Sequence, residues 1–456
     1  MNEQSKGTPP EHRNGEGVET KLLRIAARAA KEPGLKFVNL YYLMNEELLT
    51  NCYRRLRKKA AAGIDEVTKE EYGRNLADNL KELMGRLHRM SYRPQAVRRK
   101  YVAKAGSDKL RPLGIPCLED KLVGMALARI LEAIYEQDFI EGSYGFRPGR
   151  SCHDALAALS QTVEGGNTNH IVEADIKKFF DSVDHDWMMK MLSHRIGDER
   201  VLRMVKRFLK AGITEDGEWR ESEEGTPQGA SLSPILANIY LHYALDLWFE
   251  KVYRKKCKGK ATLIRYADDF VVCFQNREDA MGFKAELEQR LARFALEIEP
   301  TKTKVLEFGP CAAKNANARG EKPGTFDFLG FTHYNSKSVS GKRYRMKRVT
   351  ARKKYRAKLA DFKEWIRKAR KEPLSEIMEQ VAAKLRGHYS YYGVSDNSRG
   401  ICRYGLDIAN LLYKWLNRRS QKRSYNWEEF LAMINRCKLP EPRIMVNLHR
   451  RLRMSI

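Results

Sequence analysis

Three carboxylates stand in surroundings that disfavour them. Asp175 closes the run HIVEAD (170–175), and Asp268 and Asp269 interrupt LIRYADDFVVCF (263–274), a stretch otherwise dominated by β-branched, aromatic and aliphatic residues. Leaving water penalises an unpaired carboxylate, and Asp is a poor strand former. A bound cation removes that penalty. Carboxylate oxygens are hard ligands, which select Mg²⁺ or Mn²⁺ over zinc. Two such ions a short distance apart would activate a 3′-hydroxyl and stabilise a departing pyrophosphate in an in-line displacement. An isolated Asp-Asp pair is ordinary turn chemistry, but Tyr-Ala-Asp-Asp between two β-rich runs is a specific signal.

Two elements must bring these groups together. HIVEADIKKFFDSVDH (170–185) reads as a buried strand that passes into a helix start, and 263–274 as a tight β-hairpin with the carboxylates at its tip. Phe326 to Tyr334 offers another short strand pair. Upstream, Lys21 to Met90 is mostly helical: Leu43, Leu48, Leu49, Tyr53 and Leu56, then Leu76, Leu80, Leu83 and Leu87, recur near helical spacing, with a break at Gly63. SYRPQAVRRKYVAKAGSDKLRPLGIP (91–116) reads as strands around a Gly-Ser-Asp turn, and Leu118 to Phe139 as a long amphipathic helix. After Lys342 the chain reads as helical throughout; residues 342–371 hold fifteen Lys and Arg against Asp361 and Glu364.

Charge narrows the function classes. The 456 residues carry 85 Lys and Arg against 58 Asp and Glu, a formal charge of +27. Such self-repulsion points to a polyanionic partner, nucleic acid ahead of an anionic membrane surface. The longest stretch free of Lys, Arg, Asp and Glu, Thr226 to Leu245, contains Gly229, Pro234 and Asn238 and fails as a membrane span. The first nineteen residues lack the apolar core of a secretory signal. Eight scattered cysteines form no Cys-x-x-Cys pair, which argues against a zinc finger and for a reducing, cytoplasmic setting.

Eight landmarks follow one another: AAAGIDEVT (60–68), KLRPLGIPCLEDK (109–121), YGFRPGRSCHDAL (144–156), EADIKKFFDSVDH (173–185), GTPQGASLSPILANIYL (225–241), RYADDFVV (265–272), PTKTKVLEFG (300–309) and FDFLGF (326–331). In content and order the chain, from about Phe37 to its end, resembles a bacterial group II intron reverse transcriptase, or maturase. The resemblance implies an α+β right-hand polymerase, with fingers and an antiparallel palm sheet, followed by an all-helical thumb and maturase region. It implies a disordered tail over 1–20, an N-terminal extension and start of the fingers over 21–100, fingers and palm over 101–340, a thumb over 341–384, and a thumb end with an RNA-binding region over 385–456.

Site roles carry over residue by residue. Asp175, Asp268 and Asp269 match the catalytic, metal-binding aspartates, with the carbonyl of Ile176 as a further ligand to two Mg²⁺ ions that Mn²⁺ can replace. Phe180, five residues after Asp175, matches the aromatic position under the nucleotide sugar, where a bulky ring clashes with a 2′-hydroxyl. Lys104, Arg111, Gln228 and Lys302 match groups that contact the incoming nucleotide. Arg147, Lys353, Lys354, Arg386 and Tyr389 are candidate RNA contacts, and Tyr391 and Tyr392 lie beside the last of these. The implied partners are an RNA template, a DNA or RNA primer, dNTPs and the chain's own intron RNA, with no membrane. The implied activity is copying of RNA into cDNA together with help to intron splicing and retrohoming.

The paired Cys motifs of family endonuclease modules do not occur here, so the expectation is the endonuclease-lacking branch. The alternatives are a CRISPR-associated or otherwise domesticated reverse transcriptase, and an RNA-binding splicing maturase without polymerase activity. QGASLSP and the C-terminal region favour the intron type over the first, and the intact Asp175, Asp268 and Asp269 speak against the second.

Overall fold

The computed structural model describes residues 17–103, 110–215, 218–220, 223–227, 229–338, 340–419 and 424–448. Among these the strands are, in chain order, β1 (Val97–Ala103), β2 (Leu110–Ile115), β3 (His170–Asp175), β4 (Ile213–Glu215), β5 (Glu218–Arg220), β6 (Ala261–Tyr266), β7 (Asp269–Phe274), β8 (Lys304–Glu307), β9 (Thr325–Phe328), β10 (Phe331–Lys337) and β11 (Tyr344–Thr350). The chain folds as two compact units, one of residues 1–100, 113–139 and 183–240, the other of 101–112, 140–182 and 241–456.

In the first unit the helix Leu118–Tyr135 is the central member. Its Leu, Ile, Ala and Val residues are buried around most of its circumference, and the helices Val18–Lys31, Glu46–Arg55 and Glu199–Leu209 pack on it. A helix with so wide an apolar face belongs inside a fold, and its charged residues Glu119, Lys121, Arg129 and Glu132 keep to the part that is not fully buried. Asp120, in its first turn, is buried and accepts hydrogen bonds from the Tyr92 hydroxyl and the Gln95 amide. The start of β1 pairs with β4 in parallel, Val97 opposite Ile213 and Arg98 opposite Thr214.

The second unit is built on an antiparallel sheet in the order β6-β7-β3-β8. β7 is central and buried from Phe270 to Phe274, which is why its sequence runs apolar without alternation. The helix Arg277–Ala292 packs on β3, β7 and β8, and the helix Cys152–Glu164 on β6 and β11. A second antiparallel sheet, β11-β10-β9, continues the same apolar core into the helices Leu374–Tyr392, Ser398–Leu416 and Trp427–Arg436. The architecture is thus mixed α and β, with antiparallel sheets and a helical C-terminal region. No described helix is long and apolar enough to cross a membrane, and all eight cysteines are free.

Several expectations change here. Residues 344–350 form strand β11, so the basic stretch after Lys342 is not helical from its start; Met346, Arg348 and Thr350 alternate inward, a period of two that the density of Lys and Arg obscures. One of the fifteen cations, Arg348, has no exposed surface, and its Nη2 donates to the Ser160 hydroxyl. The helix Val18–Lys31 begins inside the segment expected to be a tail. The expected boundary at 340/341 falls within the β10–β11 hairpin, and that at 384/385 inside the helix Leu374–Tyr392.

Candidate active site

Strand register assembles the acidic site. β3 pairs with β7 so that Asp175 stands opposite Asp269, and β6 pairs with β7 so that Tyr266 also faces Asp269. Only Ala267 and Asp268 join β6 to β7, and Ala267 takes φ 56°. The left-handed region is unfavourable for a residue with a Cβ, and such strain collects at functional sites. Asp175, Asp268 and Asp269 are all half-buried. Burial pushes the Asp269 carboxyl up to about 7, and the neighbouring charges of Asp268 and Asp175 push the same way, while the backbone N–H of Leu329 stabilises its charged form. Leu329 belongs to the tight β9–β10 turn, where it and Gly330 take φ 49° and 77°. The FDFLGF landmark therefore delivers an N–H to Asp269.

The Lys302 ammonium is ion-paired with Asp175 Oδ2. Burial lowers the pKa of this lysine, but its bond to Asp175 and the charge of Asp175 outweigh that effect and raise it. Among the described residues no group of three His, Cys, Asp or Glu side chains is arranged to hold a metal ion. Carboxylate oxygens nonetheless suit a hard divalent cation, and Asp268 and Asp175 both lie within electrostatic reach of Asp269, whose carboxyl is pushed towards neutrality first by burial and then by their charges.

Lys302 is the expected nucleotide-contacting cation that the structure pairs with a carboxylate. Arg111 is exposed on β2, and Lys104 and Gln228 lie outside the described residues. Ile176 is buried and bridged to Ile298. After Lys178, at φ 46°, the turn Phe179–Asp181 buries Phe179 and leaves Phe180 half-buried against it, ring centroids 5.3 Å apart. Phe179 fills the core role, which leaves Phe180 part of its ring surface.

The expected RNA contacts divide. Lys353, Lys354 and Arg386 are exposed. Arg147 is buried instead, and its Nη1 donates to the carbonyls of Ile140 and Ser143 at 2.7 and 2.8 Å, so it braces its own loop. Tyr389 and Tyr392 are buried in the helical core. The Tyr391 hydroxyl donates to the Leu329 carbonyl at 2.9 Å, and its ring stacks near Phe331. Two of the three tyrosines are thus core residues, and the third packs between helix and turn.

Sequence reasoning also passed over Glu173, Asp246, Ser143 and Arg265. Glu173 lies two residues before Asp175, hence on the same face of β3; burial, then the Asp327 charge, pushes it up to about 7. That spacing was a usable signal. No pattern linked Asp246 to Arg265.

Residues 102–333 match the model of a family described as reverse transcriptase (RNA-dependent DNA polymerase). The chain belongs to that family. Within it, the kinship is with intron-encoded proteins and maturases. The chain is 39% identical to the group II intron-encoded protein LtrA of Lactococcus lactis over 222 residues, 48% of this chain and 37% of that protein. It is 34% identical to protein YkfC of Escherichia coli over 297 residues, 58% of this chain and 76% of that one. It is 32% identical to the mitochondrial nuclear intron maturase 1 of Arabidopsis thaliana over 95 residues, 21% of this chain and 13% of that protein. The match thus spans well under half the length of the Lactococcus protein.

Proposed function

We propose that the chain is an RNA-directed DNA polymerase that copies RNA into cDNA at Asp175, Asp268 and Asp269 and also binds an intron RNA to assist splicing and retrohoming. The observation that carries this is the register of β3 and β7, with Asp175 opposite Asp269 and Asp268 in the adjoining two-residue turn. In this reading the β6-β7-β3-β8 sheet is the palm, the first unit contains the fingers, and the helices after Arg352 include the thumb.

The family implies a divalent metal, and Mg²⁺ suits these oxygen donors. When bound, the two ions supply charge for the attacking and leaving oxygens of nucleotidyl transfer. The side chains of Asp175, Asp268 and Asp269, with the carbonyl of Ile176, would hold them. Phe180, with part of its ring exposed, stands to exclude a ribose 2′-hydroxyl. Lys302, with Arg111, Lys104 and Gln228, binds the triphosphate and orients it.

The basic helix Arg352–Ala369 supports nucleic-acid binding on physical grounds. Arg352, Lys353 and Lys354 begin it, and its first turn holds no acid. Cations are disfavoured at the positive end of a helix dipole, so an external polyanion is the natural counter-charge. Arg386 adds another exposed cation.

The test is primer extension on an RNA template with Mg²⁺ and dNTPs. Asp268→Ala is expected to lower turnover by about a thousand-fold or more, because one side chain organises the whole site. Affinity for the primer–template is expected to survive. Equal turnover by the variant would overturn the assignment.

A further inference from the structure

Directly before the acidic turn lies an ion pair with no exposed surface on either partner. Arg265 Nε donates to Asp246 Oδ1 at 2.8 Å and Nη2 to Oδ2 at 2.5 Å, a two-pronged fork. The same guanidinium sends Nη1 to the carbonyl of Ala267 at 3.0 Å and Nη2 to the Ser143 hydroxyl at 2.8 Å. Asp246 ends a π-helical turn, His242–Asp246, a distortion that frequently marks functional sites.

The segment around Ser143 is pressed onto the same hairpin arm. The Arg265 amide donates to the Gly142 carbonyl and the Tyr144 amide to the Arg265 carbonyl, each at 2.8 Å. A Cβ on Gly145 would stand 2.2 Å from the Ala267 nitrogen. Arg147 braces this segment from within, as described above.

A buried ion pair is a poor source of stability, since desolvating both charges offsets their attraction and an apolar pair of similar size commonly does as well. What it supplies is geometry. Ala267 has a left-handed backbone that a non-glycine residue does not hold by itself, so its surroundings must hold it. We propose that Arg265, oriented by Asp246 and Ser143, is a positioning residue: by gripping the Ala267 carbonyl it sets how Asp268 is presented to the metal. This inference rests on the polymerase reading of the site.

Arg265→Lys keeps the charge but has one ammonium, which cannot reach Asp246, Ser143 and Ala267 together. The full chain is measured in three ways: thermal melting, Mn²⁺ binding without nucleotide by electron paramagnetic resonance, and kcat and KM for dNTP in primer extension. The expected pattern is a retained cooperative melt, Mn²⁺ affinity lower by about 10- to 100-fold, and a kcat lower by a similar factor with KM nearly unchanged. Ser143→Ala is expected to shift the same readouts in the same direction by less. A lower melting temperature with wild-type Mn²⁺ affinity and kcat would overturn the inference, because a merely structural pair predicts that result. Should Arg265→Lys fail to fold, Ser143→Ala decides: unchanged Mn²⁺ affinity and kcat overturn the inference. A wild-type chain that extends no primer, while Mn²⁺ affinity still falls in the variants, would support the positioning role and sink the polymerase reading instead.

Discussion

At the residue scale, the Lys302 ammonium is paired with a carboxylate that the proposed mechanism assigns to a divalent cation. Lys302 is paired with Asp175, and both side chains keep partial access to solvent, so the pair is weak and exchangeable. Lys302→Met is expected to raise Mn²⁺ affinity by about two- to five-fold, the range that an exposed pair of this kind is worth. If Lys302 contacts the triphosphate as proposed, the same variant is expected to lower nucleotide incorporation. Binding of Mn²⁺ in the absence of nucleotide checks the first part, and unchanged affinity would show that the pair does not compete. The acidic residues themselves were legible in the sequence, because Asp in an apolar run is conspicuous. That Phe179 is the buried ring of the pair and Phe180 the half-buried one was not, because it depends on how the turn after Lys178 packs.

At the element scale, the hairpin that carries Asp268 depends on the segment laid against it. Gly145→Ala places a methyl group 2.2 Å from the Ala267 nitrogen, and backbone cannot swing aside as a side chain can. The expected cost is about 3 kcal/mol of stability, measurable by urea unfolding, together with a loss of turnover in the remaining folded fraction. The YGFRPGR landmark thus reads as a collar for the hairpin: Gly145 is explained by close backbone approach and Gly149 by its φ of 71°. In the helical C-terminal region, His388 is buried, stacks on Tyr404 at 3.6 Å and has both ring nitrogens unpaired. Burial, and then the charge of Lys358, push its pKa down to about 3. Unfolded, it titrates near 6.5, so between about pH 6.5 and 3 the unfolded chain binds a proton that the folded chain does not. Its contribution is therefore intact above about pH 6.5 and is lost as the pH falls, by about 2 kcal/mol at pH 5. His388→Phe keeps the stack and removes the titration. Its stability is expected to fall less than wild type between pH 7 and pH 5, and parallel curves for the two proteins would refute the linkage.

At the scale of the whole molecule, the excess of 27 positive charges favours the polyanionic partner of the proposed function. If about six phosphates are neutralised on binding, affinity for primer–template falls by about 10³ between 50 and 200 mM salt. A titration of binding against salt concentration measures this directly, and a flat response would mean that the basic helix Arg352–Ala369 is not a grip on nucleic acid. The same excess explains why charge density alone misled: the stretch after Lys342 contains both this helix and the inward-alternating strand β11, and a count of cations does not separate a period of 3.6 from one of 2.

The order of the landmarks, the three aspartates, the hairpin that carries two of them and the excess of positive charge were all determined by the sequence alone, since each depends on residue type and local period. Which groups meet was decided only by tertiary structure. Asp175 faces Asp269 because two strands far apart in the chain share one register, and a register is fixed by burial across the whole sheet. Asp246 reaches Arg265, Leu329 reaches Asp269 and Tyr391 reaches Leu329 through packing between elements, which no local spacing encodes.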